Sequence, residues 1–344
     1  MQSARKTRVL IVDDSAIVRK VLSTILDAEP DIEVVGTAPD PFIARDKILS
    51  LKPDVITLDI EMPRMDGLTF LDRLMAHHPL PVIMISSLAQ NSTRAALEAV
   101  NRGAVDVLAK PGGPYSVGDL KGDLPHRVRA AARARLRGAP AQPSPARTPA
   151  GPTAAREQTG PAKPAQAPPQ PHNFRNSMLI AIGASTGGTV AIEQVITQFP
   201  SGSPPVVIAQ HIPAGFSAAF AERLNKVCAI EVREARDGDA AKPGLALVAP
   251  GNRHMRVRNT ASNGWIVQLD DGPKVCYQRP SVDVLFQSVA EQAGRNATGA
   301  ILTGMGSDGA DGLLAMRRAG AATIAQDEAR SEEHTSELQS RQSI

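Results

Sequence analysis

Five polar residues of the N-terminal half stand directly after short apolar runs, where strands of a parallel sheet would end. They are Asp13 and Asp14 after the first run, Asp59 after the third, Ser86 after the fourth and Lys110 after the fifth. Side chains that follow parallel strands meet at one edge of the sheet. Three carboxylates at one edge repel each other unless a hard cation neutralises them, and Mg²⁺ suits such an oxygen-rich site. A carboxylate beside Mg²⁺, with a hydroxyl and an ammonium group for phosphoryl oxygens, is equipped to become an aspartyl phosphate.

A single aspartate at a strand end has a simpler explanation, because its carboxylate can cap the helix that follows. The whole set argues against that explanation. The segments DDS, LDIEMPRMDG, ISS and AKPGG each place a group that can bind a cation or a phosphoryl oxygen after a different apolar run. We therefore expect a phosphorylation site at this sheet edge.

A second constellation begins with Ser185, in the segment 178–188, which reads as a strand, a Gly-rich turn and the start of a helix that runs to about Phe199. Two interpretations compete: a phosphate loop of a dinucleotide site and a nucleophile elbow that exposes the serine hydroxyl. A dinucleotide site favours Asp or Glu at the end of the next strand. That strand, 205–211, ends in His211 instead. Because an imidazole is a suitable general base near neutral pH, the pattern favours the elbow.

A third group should orient the imidazole of His211. Residues 299–303 read as a further strand, and Asp308 follows it in the Gly-rich segment GMGSDG. At the same sheet edge, Asp308 could hold the tautomer of His211 and stabilise the imidazolium. Backbone N–H groups near Thr186 and Met305, in the two Gly-rich loops, are natural donors to an oxyanion.

Two other residues compete for these roles. His254, in PGNRHMRV, could be the base, and Asp283, in RPSVDVLF, could be the acid. Neither clearly ends an inner strand beside Ser185, so we expect both to be loop or packing residues.

Alternating strands and helices must position the first constellation. Strands are predicted at 8–12, 32–35, 55–58, 81–85 and 105–108, with helical patterns such as 15–29 and 39–51 between them. This alternation predicts a parallel sheet that is covered on both faces.

A Pro-rich segment separates the two constellations. Ten of the 34 residues from 139 to 172 are proline, and none is a large apolar residue, so we expect a disordered tether. Five arginines precede it in the segment 126–137. They could form a nucleic-acid patch, but without interleaved aromatic residues the pattern favours a solvated helix end. The predicted division is a first domain at 1–125, a basic helix end and linker at 126–177, a second domain at 178–329 and a tail at 330–344.

The composition bounds the class of protein. Of the 344 residues 42% are hydrophobic, but no apolar run approaches the length of about 20 that crosses a bilayer. Cys228 and Cys276 lie far apart, which argues against a disulfide framework or a structural zinc site. The net charge of +3 is a small excess of positive charge. We expect a soluble protein of the reducing cytoplasm, without membrane insertion or nucleic-acid binding.

The first 120 or so residues resemble a two-component receiver domain, which implies a flavodoxin-like (βα)5 fold. The resemblance implies that Asp59 is the phosphoacceptor and that Asp13 and Asp14 are acids of the metal site. It implies the backbone carbonyl of Glu61 as a further Mg²⁺ ligand. Ser86 and Lys110 match the switch hydroxyl and the lysine of receiver domains. One position departs from the pattern, because Val107 stands where receivers often have an aromatic residue. The coupling between phosphorylation and the far face of the domain is therefore expected to be muted or to work differently.

The second half resembles the catalytic domain of the chemotaxis protein-glutamate methylesterases, through IGASTGG, AQHIP, APGNRHM, RPSVDVLF and TGMGSDGADGLLAM. The resemblance covers about 178–329 and implies a doubly wound α/β domain with an antiparallel hairpin, which we place at 264–268 and 275–278. It implies a triad of Ser185, His211 and Asp308 that needs no cofactor for hydrolysis. It also implies demethylation and glutamine deamidation of methyl-accepting chemoreceptors, and control by a chemotaxis histidine kinase that phosphorylates a receiver packed on the catalytic face.

The alternative is a receiver-controlled binding module, for instance a transcriptional regulator. That function needs a helix-turn-helix after the linker, where the sequence has an apolar strand and a Gly-rich elbow instead.

The C-terminal segment departs from the family pattern. The resemblance stops near Ala329, and RSEEHTSELQS, from Arg330 to about Ser340, matches the translation of a common sequencing adapter. We expect a non-native tail on a truncated catalytic domain. The strand predicted at 321–325 would then lack its following helix, and the exposed apolar surface would favour aggregation and weak activity.

Overall fold

The structure is a computed structural model. It describes residues 5–87, 89–111, 117–134, 178–260, 264–304 and 306–326. The predicted tether at 139–172, the predicted oxyanion donor Met305 and the predicted tail at 330–344 lie outside the described residues.

The N-terminal domain is a parallel five-stranded sheet in the order β2-β1-β3-β4-β5, as predicted. Its strands are β1 Thr7–Val12, β2 Ile32–Ala38, β3 Val55–Asp59, β4 Val82–Ser86 and β5 Asp106–Ala109. Its helices are α1 Ala16–Asp27, α2 Pro41–Leu51, α3 Gly67–His77, α4 Gln90–Asn101 and α5 Val117–Arg133.

Burial and capping explain the positions of these elements. Strands β3, β4 and β5 are buried along their whole length, which fits a parallel sheet covered by helices on both faces. Helix α2 begins after Asp40, whose carboxylate accepts from the backbone N–H groups of Phe42 and Ile43 at 2.8 and 3.0 Å. Helix α5 runs through residue 125, so the predicted domain boundary falls inside a helix of the receiver fold.

The C-terminal domain has a parallel six-stranded sheet in the order β14-β13-β6-β7-β10-β8. A second sheet, in the order β11-β12-β9, is antiparallel. The strands are β6 Leu179–Ala184, β7 Val206–Gln210, β8 Glu231–Glu234, β9 Ala240–Ala241, β10 Leu245–Val248, β11 His254–Thr260, β12 Gly264–Asp270, β13 Ala297–Ile301 and β14 Ala322–Ala325. The helices are α6 Gly188–Ile196, α7 Phe216–Val227, α8 Val282–Gln292 and α9 Ala310–Arg318, with a 3₁₀ turn at Gly294–Asn296.

The antiparallel hairpin exists, but the predicted pair of strands is wrong. Strand β12 pairs with the preceding β11, with His254 opposite Asp270. The segment that we expected as its partner closes a tight turn on itself through a bridge between Val275 and Gln278. In β11 buried Met255 and Val257 alternate with exposed Arg256, which is the signal of a half-buried strand that the sequence interpretation missed.

The two domains pack directly against each other. Helix α4 of the receiver contacts α7 of the second domain, and buried apolar residues of both domains belong to one continuous cluster. Arg94 on α4 forms an ion pair with Glu222 on α7 at 3.0 Å. Of the five arginines in the predicted helix end, Arg127 on α5 is buried, at 6% exposed, whereas Arg133 is exposed.

Within the parts of the chain that the structure describes, no helix has both the length and the apolar character that crossing a membrane requires.

Candidate active site

Ser185 lies at the turn that joins β6 to α6, as the elbow interpretation predicts. Its backbone N–H donates to the carbonyl of Thr303 at 3.0 Å, which ties the turn to the segment after β13. The left-handed residue of the turn is Gly187, with φ 73°. Gly304 lies so close that an added Cβ would stand 2.5 Å from the Cβ of Ser185. A side chain at position 304 would therefore displace the serine.

His211 connects Ser185 to Asp308. Its Nδ1 lies 3.0 Å from the Oγ of Ser185, and its Nε2 lies 2.6 Å from the Oδ2 of Asp308. Since an ionised carboxylate only accepts hydrogen bonds, Nε2 carries the proton and Nδ1 is free to accept one from the serine hydroxyl. The three residues follow β6, β7 and β13, which are neighbours in the sheet. The structure thus brings together the three residues that the sequence predicted.

The carboxylate of Asp308 is saturated with hydrogen-bond donors. Oδ2 accepts from His211 and from the backbone N–H of Val282 at 2.8 Å. Oδ1 accepts from the hydroxyl of Ser281 at 2.7 Å and from the backbone N–H of Asp283 at 3.0 Å. Burial alone would raise the pKa of Asp308, but the hydrogen bonds and charge of His211, followed by the bonds from Ser281 and Asp283, hold this pKa below its ordinary value. The acid of the site is therefore ionised at neutral pH.

The two competing residues take other places. His254 is 1% exposed, and its ring donates through Nε2 to the carbonyl of Pro273 at 2.9 Å. The carboxylate of Asp283 accepts from the backbone N–H of Gly312 at 2.7 Å, and burial raises its pKa to about 6. Each residue thus binds backbone groups, as expected of packing residues.

The cleft above Ser185 is narrow. Ser185, His211 and Asp308 line it together with Val282, Leu302 and other neighbours, and the free volume is about 10 Å³. That volume is about the space of one water molecule.

The receiver reaches the catalytic residues through a buried ion pair that sequence reasoning missed. Arg127 on α5 pairs with Asp106 at the start of β5 at 2.5 Å. The Nη2 of Arg127 lies 3.3 Å from the backbone carbonyl of His211. The hydroxyl of Thr186, the residue after Ser185, donates to Oδ2 of Asp106 at 3.2 Å. The receiver therefore contacts the backbone of His211 and the residue that follows Ser185.

The carboxyl edge of the receiver sheet gathers the predicted acids. Carboxylate oxygens of Asp13, Asp14 and Asp59 lie within 4.8 Å of one another. The Nζ of Lys110 lies 3.2 Å from Asp13 Oδ2 and 2.7 Å from Asp59 Oδ2. Burial, then the charge of Asp13, raise the pKa of Asp59 to about 6 against the opposing hydrogen bond of Lys110. Burial alone would lower the pKa of Lys110, but Asp59 and Asp13 together raise it above its ordinary value.

The residues present fit a divalent cation at this edge. Oδ2 of Asp13 and Oδ2 of Asp59 are buried and, apart from the ion pair with Lys110, have no hydrogen-bond partner among the described residues. Clustered carboxylate oxygens of this kind are the ligands that Mg²⁺ prefers.

The remaining predicted receiver residues lie close by. The buried hydroxyl of Ser86 lies within hydrogen-bond distance of two carbonyl acceptors, those of Ser87 and Ser92, both at 3.1 Å. It therefore points toward α4. The backbone N–H of Glu61 donates to Asp59 Oδ1 at 3.2 Å. The role of the Glu61 carbonyl as a metal ligand stays a prediction. Val107 is 2% exposed within β5.

These features define the class: a receiver domain packed on an α/β domain that carries a Ser–His–Asp constellation. Residues 9–117 match the response regulator receiver domain family, and residues 180–336 match the CheB methylesterase family. The latter match extends past residue 329, where we expected the resemblance to stop; the non-native tail stays a prediction.

Curated relatives cover almost the whole chain. A protein-glutamate methylesterase/protein-glutamine glutaminase of Syntrophus aciditrophicus is 54% identical over 94% of this chain and 89% of its own length. Its counterpart in Salmonella typhimurium is 48% identical over 94% of this chain and 87% of its own length. The chain therefore belongs to the protein-glutamate methylesterase/protein-glutamine glutaminase family, and its second domain is a hydrolase rather than a DNA-binding module.

Two solved structures from Thermotoga maritima match the halves separately. The CheB methylesterase catalytic domain is 31% identical, covers 48% of this chain and 88% of its own, and has a TM-score of 0.46. The response regulator domain of CheB is 44% identical, covers 38% of this chain and 99% of its own, and has a TM-score of 0.36.

Proposed function

We propose that this chain hydrolyses glutamyl methyl esters, and deamidates glutamines, on the signalling helices of chemoreceptors in the cytoplasm, under the control of a histidine kinase. The observation that carries the proposal is the continuous hydrogen-bonded line from Ser185 through His211 to Asp308. In a chain of this family, that line is equipped for acyl transfer.

The proposed reaction uses Ser185 as nucleophile. Nδ1 of His211 takes the hydroxyl proton while Oγ attacks the side-chain carbonyl of the substrate, and Asp308 stabilises the imidazolium that forms. Backbone N–H groups near Thr186 and Met305 donate to the oxyanion. The imidazolium returns the proton to the leaving group, which is methanol for an ester and ammonia for an amide. Water, deprotonated by His211, then hydrolyses the acyl-enzyme and leaves glutamate.

The proposed control uses the receiver edge. Asp59 accepts the phosphoryl group, and Asp13, Asp14, Asp59 and the carbonyl of Glu61 hold Mg²⁺, which neutralises phosphoryl oxygens when bound. Lys110 donates to the transferred phosphoryl group, and Ser86 turns from the carbonyl of Ser92 to reach it. Hydrolysis itself needs no cofactor.

The receiver restricts access in the unphosphorylated state. The contacts of Arg127 with the His211 carbonyl and of Asp106 with the Thr186 hydroxyl support this step. Phosphorylation is proposed to loosen the packing between the domains and to admit the receptor helix.

The test is methanol release from a methylated chemoreceptor fragment, with and without the small phosphodonor acetyl phosphate. The wild-type chain should release methanol slowly and accelerate with the phosphodonor. Ser185→Ala should be inactive in both conditions while keeping the fold, as checked by circular dichroism. Substantial activity in folded Ser185→Ala would refute the proposed nucleophile.

A further inference from the structure

Ser281 lies between the catalytic acid and the body of the domain, and the proposed reaction does not use it. It precedes α8 and is completely buried. Its hydroxyl donates to Oδ1 of Asp308 at 2.7 Å. Apart from His211, it is the one side chain that donates to this carboxylate among the residues that the structure describes.

Ser281 is itself held from behind by a buried histidine. The backbone N–H of Ser281 donates to Nδ1 of His254 at 3.2 Å, while Nε2 of His254 donates to the carbonyl of Pro273 at 2.9 Å. The same ring thus accepts on one side and donates on the other, which fixes its tautomer. The result is an unbroken series of hydrogen bonds from Pro273 to Ser185.

We propose that Ser281 is a positioning residue of the hydrolase, whose hydroxyl holds the Asp308 carboxylate in the rotamer in which Oδ2 meets Nε2 of His211. Oδ1 of Asp308 accepts from the hydroxyl of Ser281 and from the backbone N–H of Asp283, whereas Oδ2 accepts from the imidazole and from the backbone N–H of Val282. The hydroxyl of Ser281 is therefore the side-chain part of the anchor at Oδ1. A carboxylate anchored at Oδ1 cannot rotate about its Cβ–Cγ bond without breaking that anchor. This inference rests on the proposed roles of Ser185, His211 and Asp308.

A second role of Ser281 must be separated from the first. Its Oγ also accepts from the backbone N–H of Val284 at 3.3 Å, which caps α8. Alanine at an N-cap is unfavourable, whereas glycine is nearly as favourable there as serine. Ser281→Ala and Ser281→Gly therefore both remove the bond to Asp308 but differ in helix capping.

A matched control lies two turns further along the same helix. Ser288 is also buried, and its hydroxyl donates to the carbonyl of Leu285 at 2.7 Å and accepts from the backbone N–H of Val257 at 2.9 Å. Ser288→Ala removes a comparable buried hydroxyl that does not touch Asp308. Ser281→Thr keeps the hydroxyl and serves as the conservative rescue.

The experiment measures methyl-ester hydrolysis by the full chain, with acetyl phosphate, across pH 5 to 9. Ser281→Ala and Ser281→Gly should each lower kcat about tenfold, the effect of losing one hydrogen bond to a charged group, with KM unchanged. Ser281→Thr should restore kcat, and Ser288→Ala should retain it. The midpoint of thermal unfolding should fall further in Ser281→Ala than in Ser281→Gly, because it depends on the capping of α8, whereas kcat should fall equally in both.

The pH profile gives a readout that a purely structural residue would not move. The titratable groups near the Asp308 carboxylate are His211, Asp283 and Cys276. With one donor fewer, Asp308 holds the proton of the His211–Asp308 pair more tightly. The acid side of the profile should therefore move up by about half a unit to one unit in both hydroxyl-free variants. The low-field NMR signal of the His211 Nε2 proton should move as well.

Several outcomes would overturn the proposal. Wild-type kinetics and an unmoved pH profile in folded Ser281→Ala and Ser281→Gly would reduce Ser281 to a helix cap. A folded Ser281→Thr that behaves like Ser281→Ala would exclude the hydroxyl as the determinant. Ser185→Ala, measured in parallel, distinguishes failure of this proposal from failure of the proposed triad. If it is inactive while the Ser281 variants are normal, only this proposal fails; if it is active, the triad itself fails.

Discussion

Two sheet edges of this chain gather polar side chains, and they are built in opposite ways. At the receiver edge the carboxylates of Asp13, Asp14 and Asp59 lie together, and two of them, Asp13 and Asp59, share the ammonium group of Lys110. At the catalytic edge one carboxylate, that of Asp308, accepts four hydrogen bonds. The receiver edge therefore has more negative than positive charge. At the catalytic edge, both oxygens of the one carboxylate are bound by hydrogen-bond donors.

The pKa values follow this difference. Burial acts in the same direction on Asp59 and Asp308, yet the pKa of Asp59 is raised to about 6 and that of Asp308 is lowered. The hydrogen-bond donors around each carboxylate, rather than its depth of burial, decide whether its pKa is raised or lowered. The receiver edge is suited to take up a cation and a phosphoryl group, whereas the catalytic edge is organised before substrate arrives.

The largest expected effect comes from removing the charge of the saturated carboxylate. Asp308→Asn should lower kcat by about 10³- to 10⁴-fold, because the amide cannot stabilise the imidazolium and favours the wrong tautomer of His211. The neighbouring Asp283→Asn should retain most of the activity, since Asp283 binds the backbone of Gly312 instead. Steady-state methanol release checks both variants, and the reverse ranking would make Asp283 the catalytic acid.

The same two carboxyls should also have opposite effects on stability. The folded pKa of Asp283 is about 6, above the ordinary 3.8, so the folded state holds this proton more tightly than the unfolded chain. The ionised carboxylate therefore costs up to about 3 kcal/mol above pH 6, and the cost fades as the pH falls from 6 towards 4. Asp283→Asn keeps an acceptor for Gly312 and should be more stable than wild type at pH 7.5, with the gain vanishing near pH 4.

Asp308→Asn provides the contrasting control. Because the folded pKa of Asp308 is lowered, its carboxylate stabilises the fold at neutral pH and loses that contribution as the pH falls through its folded pKa. The destabilisation caused by Asp308→Asn should therefore be largest at pH 7.5 and smaller at pH 4. Urea unfolding at both pH values measures the two differences. Parallel pH trends for the two variants would contradict the opposite signs.

A smaller effect is expected from the receiver edge. Chelation of Mg²⁺ should abolish stimulation by acetyl phosphate, which we expect to be about tenfold, a typical size for coupling between two sites. The basal rate should not change, because the clustered acids lie at the receiver edge. Asp59→Asn should behave like the chelated protein. A fall in basal hydrolysis on chelation would show that the catalytic edge needs a metal.

The sequence could predict which residues reach each edge, because strand ends can be read from apolar runs. Asp59 follows a run that is buried along its whole length, and His211 follows another. The hairpin was misjudged for a local reason. Strand β11 carries exposed Arg256 and Arg258 on one face, whereas Met255 and Val257 on its other face are buried. This alternation is the pattern of a half-buried strand, and the sequence interpretation did not use it.

Contacts between distant segments could not be predicted in the same way. The bond between Ser281 and Asp308 joins residues 27 positions apart, and the bond between Thr186 and Asp106 joins residues 80 positions apart. Ser281 stands before the apolar run VDVLF, which is a signal for a helix cap. Its second partner depends on how α8 docks against the loop after β13, and the sequence carries no periodic signal for that.

The smallest expected effect concerns the strand that connects the two edges. Lys110, at the carboxyl end of β5, contacts Asp59, while Asp106, at the other end, contacts Thr186. Four residue-to-residue steps of extended chain, about 13 Å, separate them. This arrangement places the contacts to Asp59 and to the residue after Ser185 at opposite ends of one buried strand, whose Val107 packs in the core.

Arg127→Ala should therefore raise the basal rate about fivefold, because it removes the contact with the His211 carbonyl and weakens the closed packing by about 1 kcal/mol. Arg129→Ala is the matched control. It lies on the same helix but pairs with Glu29 and Asp31 inside the receiver, both contacts being 2.5 to 2.7 Å. Its basal rate should equal that of the wild type. Methanol release without phosphodonor measures both variants, and equal rates in Arg127→Ala and Arg129→Ala would show that the buried ion pair does not hold the receiver on the cleft.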